Sequence, residues 1–122
     1  MTRLDAFVIV LNEEELIQYC LDSFVSIADL LGTLSIVDNG STDDTLDIVE
    51  SYRHRLPLVV QRDTRDSHHG RLRNRALEKC KPGWVIYLDS DESWTNDMRD
   101  WLLSGELGAG SVDGYEFYKW TT

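Results

Sequence analysis

The sequence predicts an α/β fold built on a mostly parallel, doubly wound sheet with helices on both faces. Short apolar runs alternate along the chain with segments whose apolar residues recur every three or four positions, the order expected when helical crossovers connect parallel strands. Three of those runs end in polar clusters: Asn12-Glu13-Glu14, Asp38-Asn39-Gly40-Ser41 and Asp89-Ser90-Asp91-Glu92. No internal repeat or low-complexity segment interrupts the alternation, and 122 residues suffice for one domain, 1–122, with a real core.

Ala6 to Leu11 is a continuous apolar run, as a strand covered on both faces requires. From Glu13 to Leu31, residues Ile17, Cys20, Leu21, Phe24, Ala28 and Leu31 fall on one helical face, and Gly32 would end that helix as a C-cap. Leu34 to Val37 is the second strand. After the turn at Gly40, Ser41 or Thr42 would cap a helix with Asp43 and Asp44 in its first turn, running to about Tyr52 and burying Leu46, Ile48 and Val49. Pro57 breaks that pattern, and Leu58 to Val60 is the third strand. A polar loop from Gln61 to His69 reaches Gly70, after which Leu72, Ala76, Leu77 and Cys80 mark a third helix ended by Lys81-Pro82-Gly83. Trp84 to Leu88 is the fourth strand, Met98, Trp101 and Leu102 suit a short helix, and Gly114 to Trp120 alternates aromatic and charged residues like an exposed strand.

The net charge of −10 disfavours nucleic acid and anionic membrane as partners, since both need a basic surface. That average hides an asymmetry: residues 53 to 81 carry nine of the twelve cations against three acids, a local balance of +6 that leaves −16 elsewhere. Charge runs often mean only a solvated face; the sharper reading is an anion site beside a metal site. Cys20 and Cys80 fall on apolar helical positions and read as reduced packing residues rather than a disulfide framework. The apolar run near the N-terminus is far short of the ~20 residues of a membrane span. A soluble, cytoplasmic protein without an integral membrane segment is expected.

In a parallel sheet the carboxyl ends of the strands share one edge, where ligands bind. The three polar clusters therefore converge. Crowded carboxylates repel unless a cation is supplied, and Mg²⁺ or Mn²⁺ suits such oxygen donors. An EF-hand loop from Asp89 fails because Trp94 stands where its sixth position needs Gly. A phosphatase with Asp-x-Asp after its first strand fails because this motif follows the fourth. Acids that only cap the next helix remain the plain alternative.

Taken together, "FVIVLNEEELIQYCLDSF", "LSIVDNGSTDDTLDIV", "GRLRNRALEKCKPGWVIYLDSDE" and "DGYEFYKW" resemble the nucleotide-binding half of a family 2 glycosyltransferase with the Rossmann-like GT-A fold, in particular its lipopolysaccharide-core-type sugar transferases. The resemblance implies transfer of a sugar from a nucleotide-diphosphate donor, UDP-sugar favoured, to a hydroxyl of a saccharide or lipid-linked acceptor, with inversion and with Mn²⁺ or Mg²⁺. It matches Leu11, Asn12 and Glu13 to the nucleoside side, Asp38 to the base, and Asn39, Gly40 and Ser41 to the adjoining turn. Gly70, Arg71, Arg73 and Asn74 match a helix start near the donor, where backbone N–H groups and guanidinium forks favour phosphate. Asp89 and Asp91 match Asp-x-Asp: Asp89 with Ser90 on the nucleotide or ribose side or near metal-bound water, Asp91 on the metal. Glu92 would support them or cap the next helix.

Members of this family continue past the last strand into a half that builds the acceptor site and usually supplies the base. The chain is thus expected to be a truncated or minimal domain, either a donor-binding module or an enzyme completed by a second copy in a homodimer. Glu92, Asp113 and Glu116 are its weak candidates for a base. Tyr115, Phe117, Tyr118 and Trp120 would form an acceptor or dimer surface, or pack on the sheet. His68 and His69 precede the phosphate-side helix, either solvated or within reach of a phosphate or metal; His54 is expected at the surface. Trp84 is expected to pack, and Trp94 and Trp101 to join the core rather than wall a sugar face.

Overall fold

The structure is a computed structural model and describes residues 4–64 and 68–104. Four parallel strands, β1 (Leu4–Val10), β2 (Leu31–Asp38), β3 (Leu58–Arg62) and β4 (Trp84–Tyr87), lie in the order β3-β2-β1-β4. Helices α1 (Ile17–Val25), α2 (Thr45–Glu50) and α3 (His69–Leu77) make the crossovers, and α4 (Asn96–Leu103) follows β4. The predicted strand Gly114 to Trp120, with its aromatic residues and with Asp113 and Glu116, lies outside the described residues.

The sheet's direction explains which helix covers which face. From β1 to β3 each strand adds outward on one side; β4 then returns to the other edge of β1. Parallel crossovers are right-handed almost without exception, so a reversal of direction moves the connecting helix to the opposite face. Leu4, Ala6, Val8 and Val10 accordingly join Leu34, Ile36 and Leu58 in one core with Ile17, Cys20, Leu21 and Phe24 of α1, Val49 of α2 and Leu102 of α4. On the other face Phe7 and Val37 pack against Leu72 and Ala76 of α3. Both faces of β1 are covered, as its unbroken apolar run requires.

Several boundaries differ from the periodicity: β1 starts at Leu4 and ends before the exposed Leu11, β2 runs on to Asp38 and β3 to Arg62, and β4 stops at Tyr87. The first helix is shorter than Glu13 to Leu31: α1 starts at Ile17, and a 3₁₀ turn at Ala28–Leu30 leads directly into β2. Leu31 continues the helical spacing but pairs with Leu4, and Gly32 is no helix cap. It is the extra residue where the register steps from Leu4↔Leu31 to Asp5↔Thr33, a β-bulge. The second helix is also shorter. Neither Ser41 nor Thr42 caps it; Asp44 holds the N-cap position and Asp47, not Asp43 or Asp44, lies in the first turn. Thr45 and Val49 are buried there, whereas Leu46 and Ile48 are half-buried. Leu77 is largely exposed and Cys80 sits past the end of α3.

Ser41 and Thr42 have another task. The Asn12 backbone N–H donates to Ser41 Oγ (2.9 Å), and Asn12 Oδ1 accepts from the Thr42 backbone N–H (2.8 Å). The Glu13 N–H donates to Thr45 Oγ1 at 2.9 Å, and the Asp44 N–H donates to Glu14 Oε2 at 3.1 Å. These bonds latch the turn after β1 to the turn after β2. Asn12 holds φ +51° there, a left-handed conformation that Asn tolerates better than most side chains. Replacing Asn12 by Ala removes the bond to Thr42 while keeping a Cβ in that strained conformation, and should cost about 1–3 kcal/mol. Asn12→Gly should cost less, a ranking that urea unfolding checks. In the core, Phe24→Ala should cost about 3–5 kcal/mol, against within about 0.5 kcal/mol for exposed Leu77→Ala.

Candidate functional site

The strand order reverses at β1, where β4 takes the edge opposite β2. A cleft of about 180 Å³ opens there, beyond the carboxyl ends of β1 and β4, where open α/β sheets bind ligands. Its apolar wall comes from Phe7, Ile9 and Tyr87. Phe7 and Tyr87 are neighbours in the β1–β4 register, and their rings stack at 5.2 Å between centroids and 11° between planes. The Arg73 guanidinium, one turn into α3, lies 5.3 Å from the Tyr87 ring centroid and brings a positive charge to this wall.

Carboxylates line the other side: Glu13 from the turn after β1, and Asp89 and Asp91 from the turn after β4. Asp89 is exposed and Asp91 half-buried. Glu92 is buried, and its Oε1 accepts from the Asp89 backbone N–H at 2.9 Å while its own N–H donates to the Asp89 carbonyl at 2.9 Å. The turn is thus closed by side chain and backbone together. Glu92 holds this turn and does not cap α4; Thr95 does, accepting from the Met98 N–H at 3.1 Å.

The crowding registers on Glu13. Burial pushes its carboxyl pKa above the ordinary 4.5, the Asp91 charge raises it further, a hydrogen bond from Ser90 pulls it down, and Asp43 adds a smaller upward push. Cys20, buried beneath the same turn, has its thiol pKa raised far above the usual range by burial first and then by Glu92, Asp89 and Asp91. It stays a protonated packing group, and both cysteines are free. Among the described residues no three His, Cys, Asp or Glu side chains gather closely enough to cage a metal. Asp91 and Asp89, which line one cleft, are oxygen donors of the type that a hard divalent ion of the Mg²⁺ or Mn²⁺ kind takes, one or two carboxylates commonly sufficing beside water and phosphate oxygens.

The Asp38 turn lies one strand away, tied to β1 by the Asn39 N–H donating to the Val10 carbonyl at 2.9 Å. Asp38 has no exposed surface. Its carboxylate accepts from the N–H groups of Gly40 and Ser41 (3.2 Å each to Oδ2), and Arg62 Nε stands 3.5 Å from the same oxygen. Gly40 takes φ +110°, and a Cβ there would meet Thr64 at 3.3 Å. Arg62, register partner of Asp38, also donates from Nη2 to the Ser41 carbonyl at 3.2 Å.

Among the expected donor-side residues, Glu13, Arg73, Asp89, Ser90 and Asp91 meet in one cleft. Leu11 and Asn12 are exposed beside it at the end of β1. Arg71 and Asn74 are exposed on α3 without lining the cleft, and Gly70 makes room for the His68 ring, whose Cε1 a Cβ would meet at 3.0 Å. The His69 side chain lies outside the described residues. His54 is exposed, and Trp84, Trp94 and Trp101 pack half-buried against the core. Tyr87 and Arg62 escaped the sequence reading. An aromatic residue just before an acidic turn is a usable signal for Tyr87; Arg62 depends on strand pairing, which periodicity does not encode. No helix among the described residues is long and apolar enough to cross a membrane.

Comparison with known proteins agrees with this architecture. Residues 5–101 match the family model described as glycosyl transferase family 2. A lipopolysaccharide core biosynthesis glycosyltransferase, LpsC of Rhizobium meliloti, is 34% identical over 100 residues, covering 81% of this chain and 35% of that protein. The crystal structure of Staphylococcus aureus TarS 1-349 in complex with UDP-GlcNAc superposes with a TM-score of 0.75 at 28% identity, over 88% of this chain and 32% of that one. The mannosyltransferase PcManGT from Pyrobaculum calidifontis, in complex with GDP-Man and Mn²⁺, gives 0.71 at 28% identity, over 82% and 30%. This chain therefore spans about a third of the length of these proteins, and within that span it belongs to glycosyl transferase family 2.

Proposed function

We propose that this chain forms the nucleotide-sugar-binding part of a metal-dependent sugar transferase that moves a sugar, with inversion, from a nucleotide-diphosphate donor to an acceptor hydroxyl. The observation that carries the proposal is one cleft with Glu13, Asp89 and Asp91 on one side and Arg73 against Tyr87 on the other. A diphosphate in this cleft would meet the Arg73 guanidinium on its oxygens, and Asp91 and Asp89 would hold a hard cation beside it. Such a cation, when bound, offsets charge developing on the departing diphosphate. The nucleoside extends from Asp89 and Ser90 towards Asn12 and the Asp38-Asn39-Gly40 turn, with Arg71 and Asn74 at the phosphate side. A UDP-sugar is the favoured donor, supported by the UDP-GlcNAc complex of TarS; the GDP-Man complex of PcManGT makes guanine the competitor. A saccharide or lipid-linked acceptor accords with the lipopolysaccharide-core relative.

Displacement at the anomeric carbon needs a base for the acceptor hydroxyl. Glu92 is ill suited, being buried and engaged by the Asp89 N–H. A narrower reading, a donor-binding module without transfer, is supported by the engagement of Glu92 within its own turn. Release of UDP from UDP-N-acetylglucosamine or UDP-glucose, with and without saccharide acceptors, separates the two.

Calorimetry with UDP and Mn²⁺ should show tight binding that Asp91→Ala abolishes while circular dichroism stays unchanged; equal affinity in parent and variant rejects the site. Arg73→Ala should weaken nucleotide binding roughly 10- to 100-fold, the worth of a charge-assisted bond. Glu13 supplies a pH test. Its folded pKa lies above the ordinary 4.5, so protonated Glu13 favours the folded chain below that pH, and the contribution is lost as pH rises through the folded value. Asp91→Asn removes one raising charge, and the Glu13 carboxyl should then titrate at lower pH by NMR.

A further inference from the structure

A second concavity, of about 270 Å³, lies away from the donor cleft, between α1 and the start of α4. Its α1 wall is Tyr19, Asp22, Ser23 and Ser26, spaced i, i+3, i+4, i+7, a polar stripe beside the buried stripe of the same helix. Across from it stand Trp94, Asn96 and Arg99. The walls are fixed to each other. The Trp94 backbone N–H donates to Ser23 Oγ at 3.0 Å, and the Trp94 ring meets Phe24 edge-on at 6.0 Å and 84°.

Some polar groups hold the walls together and others are left open. Ser23 Oγ also donates to the Tyr19 carbonyl, Ser26 Oγ donates to the Ser23 carbonyl, and Asp22 Oδ1 accepts from the Tyr52 hydroxyl at 2.6 Å. Among the described residues, the Tyr19 hydroxyl, Ser93 hydroxyl and Asn96 amide make no hydrogen bond, and the Trp94 indole N–H is buried with no acceptor. A buried donor without a partner is costly, whereas the Tyr19 hydroxyl, Ser93 hydroxyl and Asn96 amide lie where an occupant can reach them. Tyr19 is 52% exposed, an aromatic face left open to solvent. Asp22 and Arg99 carry opposite charges, and Arg99 is also paired with Asp100, its Nη2 donating to Oδ1 at 3.0 Å, so the lining holds no surplus cation for an anionic occupant. Aromatic surface, a planar amide, a carboxylate and open hydroxyls in a pocket without surplus positive charge match a neutral saccharide, whose C–H faces cover rings and whose hydroxyls both donate and accept.

We propose that the α1–α4 pocket is a binding subsite for a neutral saccharide, separate from the donor cleft. It goes beyond the transfer reaction and stands whether or not the chain turns over a donor. The test is an NMR titration of the ¹⁵N-labelled chain with N-acetylglucosamine and cellobiose, the Trp94 indole N–H resonance being identified by its loss in Trp94→Phe. A saturable shift of that resonance, with a Kd of roughly 1–10 mM, is expected. Tyr19→Ala and Asn96→Ala, both at exposed positions, should each weaken it about fivefold or more, the worth of one hydrogen bond or ring contact. UDP and Mn²⁺ binding should be unchanged in both variants. An indole resonance unmoved by saccharide, as when only water fills the pocket, overturns the proposal. So does an equal shift in the two variants, or a larger one with glucuronate or glucose 6-phosphate.

Discussion

Leu4–Val10 is hydrogen-bonded along both edges, to β2 on one side and β4 on the other, in parallel register. The rest of the architecture depends on that double pairing. Because β2 and β4 leave β1 in opposite directions, α3 is forced to the face that α1 and α2 do not cover. The same divergence parts the loops at the carboxyl edge. Glu13 then arrives from the end of β1, Asp89 and Asp91 from β4, and Arg73 from α3 on the far face. No single segment could supply both signs of charge; the reversal of strand order does.

Charge crowding on the acidic side is held in place by hydrogen bonds made before any ligand arrives. Glu92 is almost fully buried, yet its carboxylate receives the Asp89 N–H, and Ser90 donates to Glu13. Without such donors a buried carboxylate costs several kcal/mol and tends to neutralise. Glu13 stands midway between these regimes: hydrogen-bonded, but with its pKa raised by burial and by Asp91. On the Asp38 side the balance differs. Two backbone N–H groups and Arg62 surround that carboxylate, so it stabilises a turn, and the left-handed Gly40 completes the turn.

Most of the fold was legible because β1 is covered on both faces and α1 on one, and each writes its own periodicity. The acidic cleft was legible for a related reason: polar clusters straight after buried runs must fall at the sheet's carboxyl edge. What was not legible involved competition between local and long-range partners. Leu31 continues the helical spacing, yet pairing with Leu4 extends β2 backwards and turns Gly32 into a bulge. Ser41 and Thr42 are good helix caps by residue type, but Asn12, 29 and 30 residues away, competes for them and wins. Arg62 meets Asp38 only because the β2–β3 register sets them side by side. Residue-type preferences are local, and these contacts are not.

The loop from Asp89 to Thr95 shows what such long-range anchoring accomplishes. At its start Glu92 ties back to Asp89; two residues later the Trp94 N–H reaches Ser23 of α1; then Thr95 caps α4 through Met98. Seven consecutive residues are therefore fixed to themselves, to the first helix and to the last. Each bond is worth only about 1 kcal/mol net. In sequence they restrict the loop at three points, leaving it little freedom to relax away from the repulsion among its carboxylates. A looser loop would lower that repulsion by letting Asp89 and Asp91 drift apart. Rigidity here keeps the carboxylates of one turn together against their mutual repulsion.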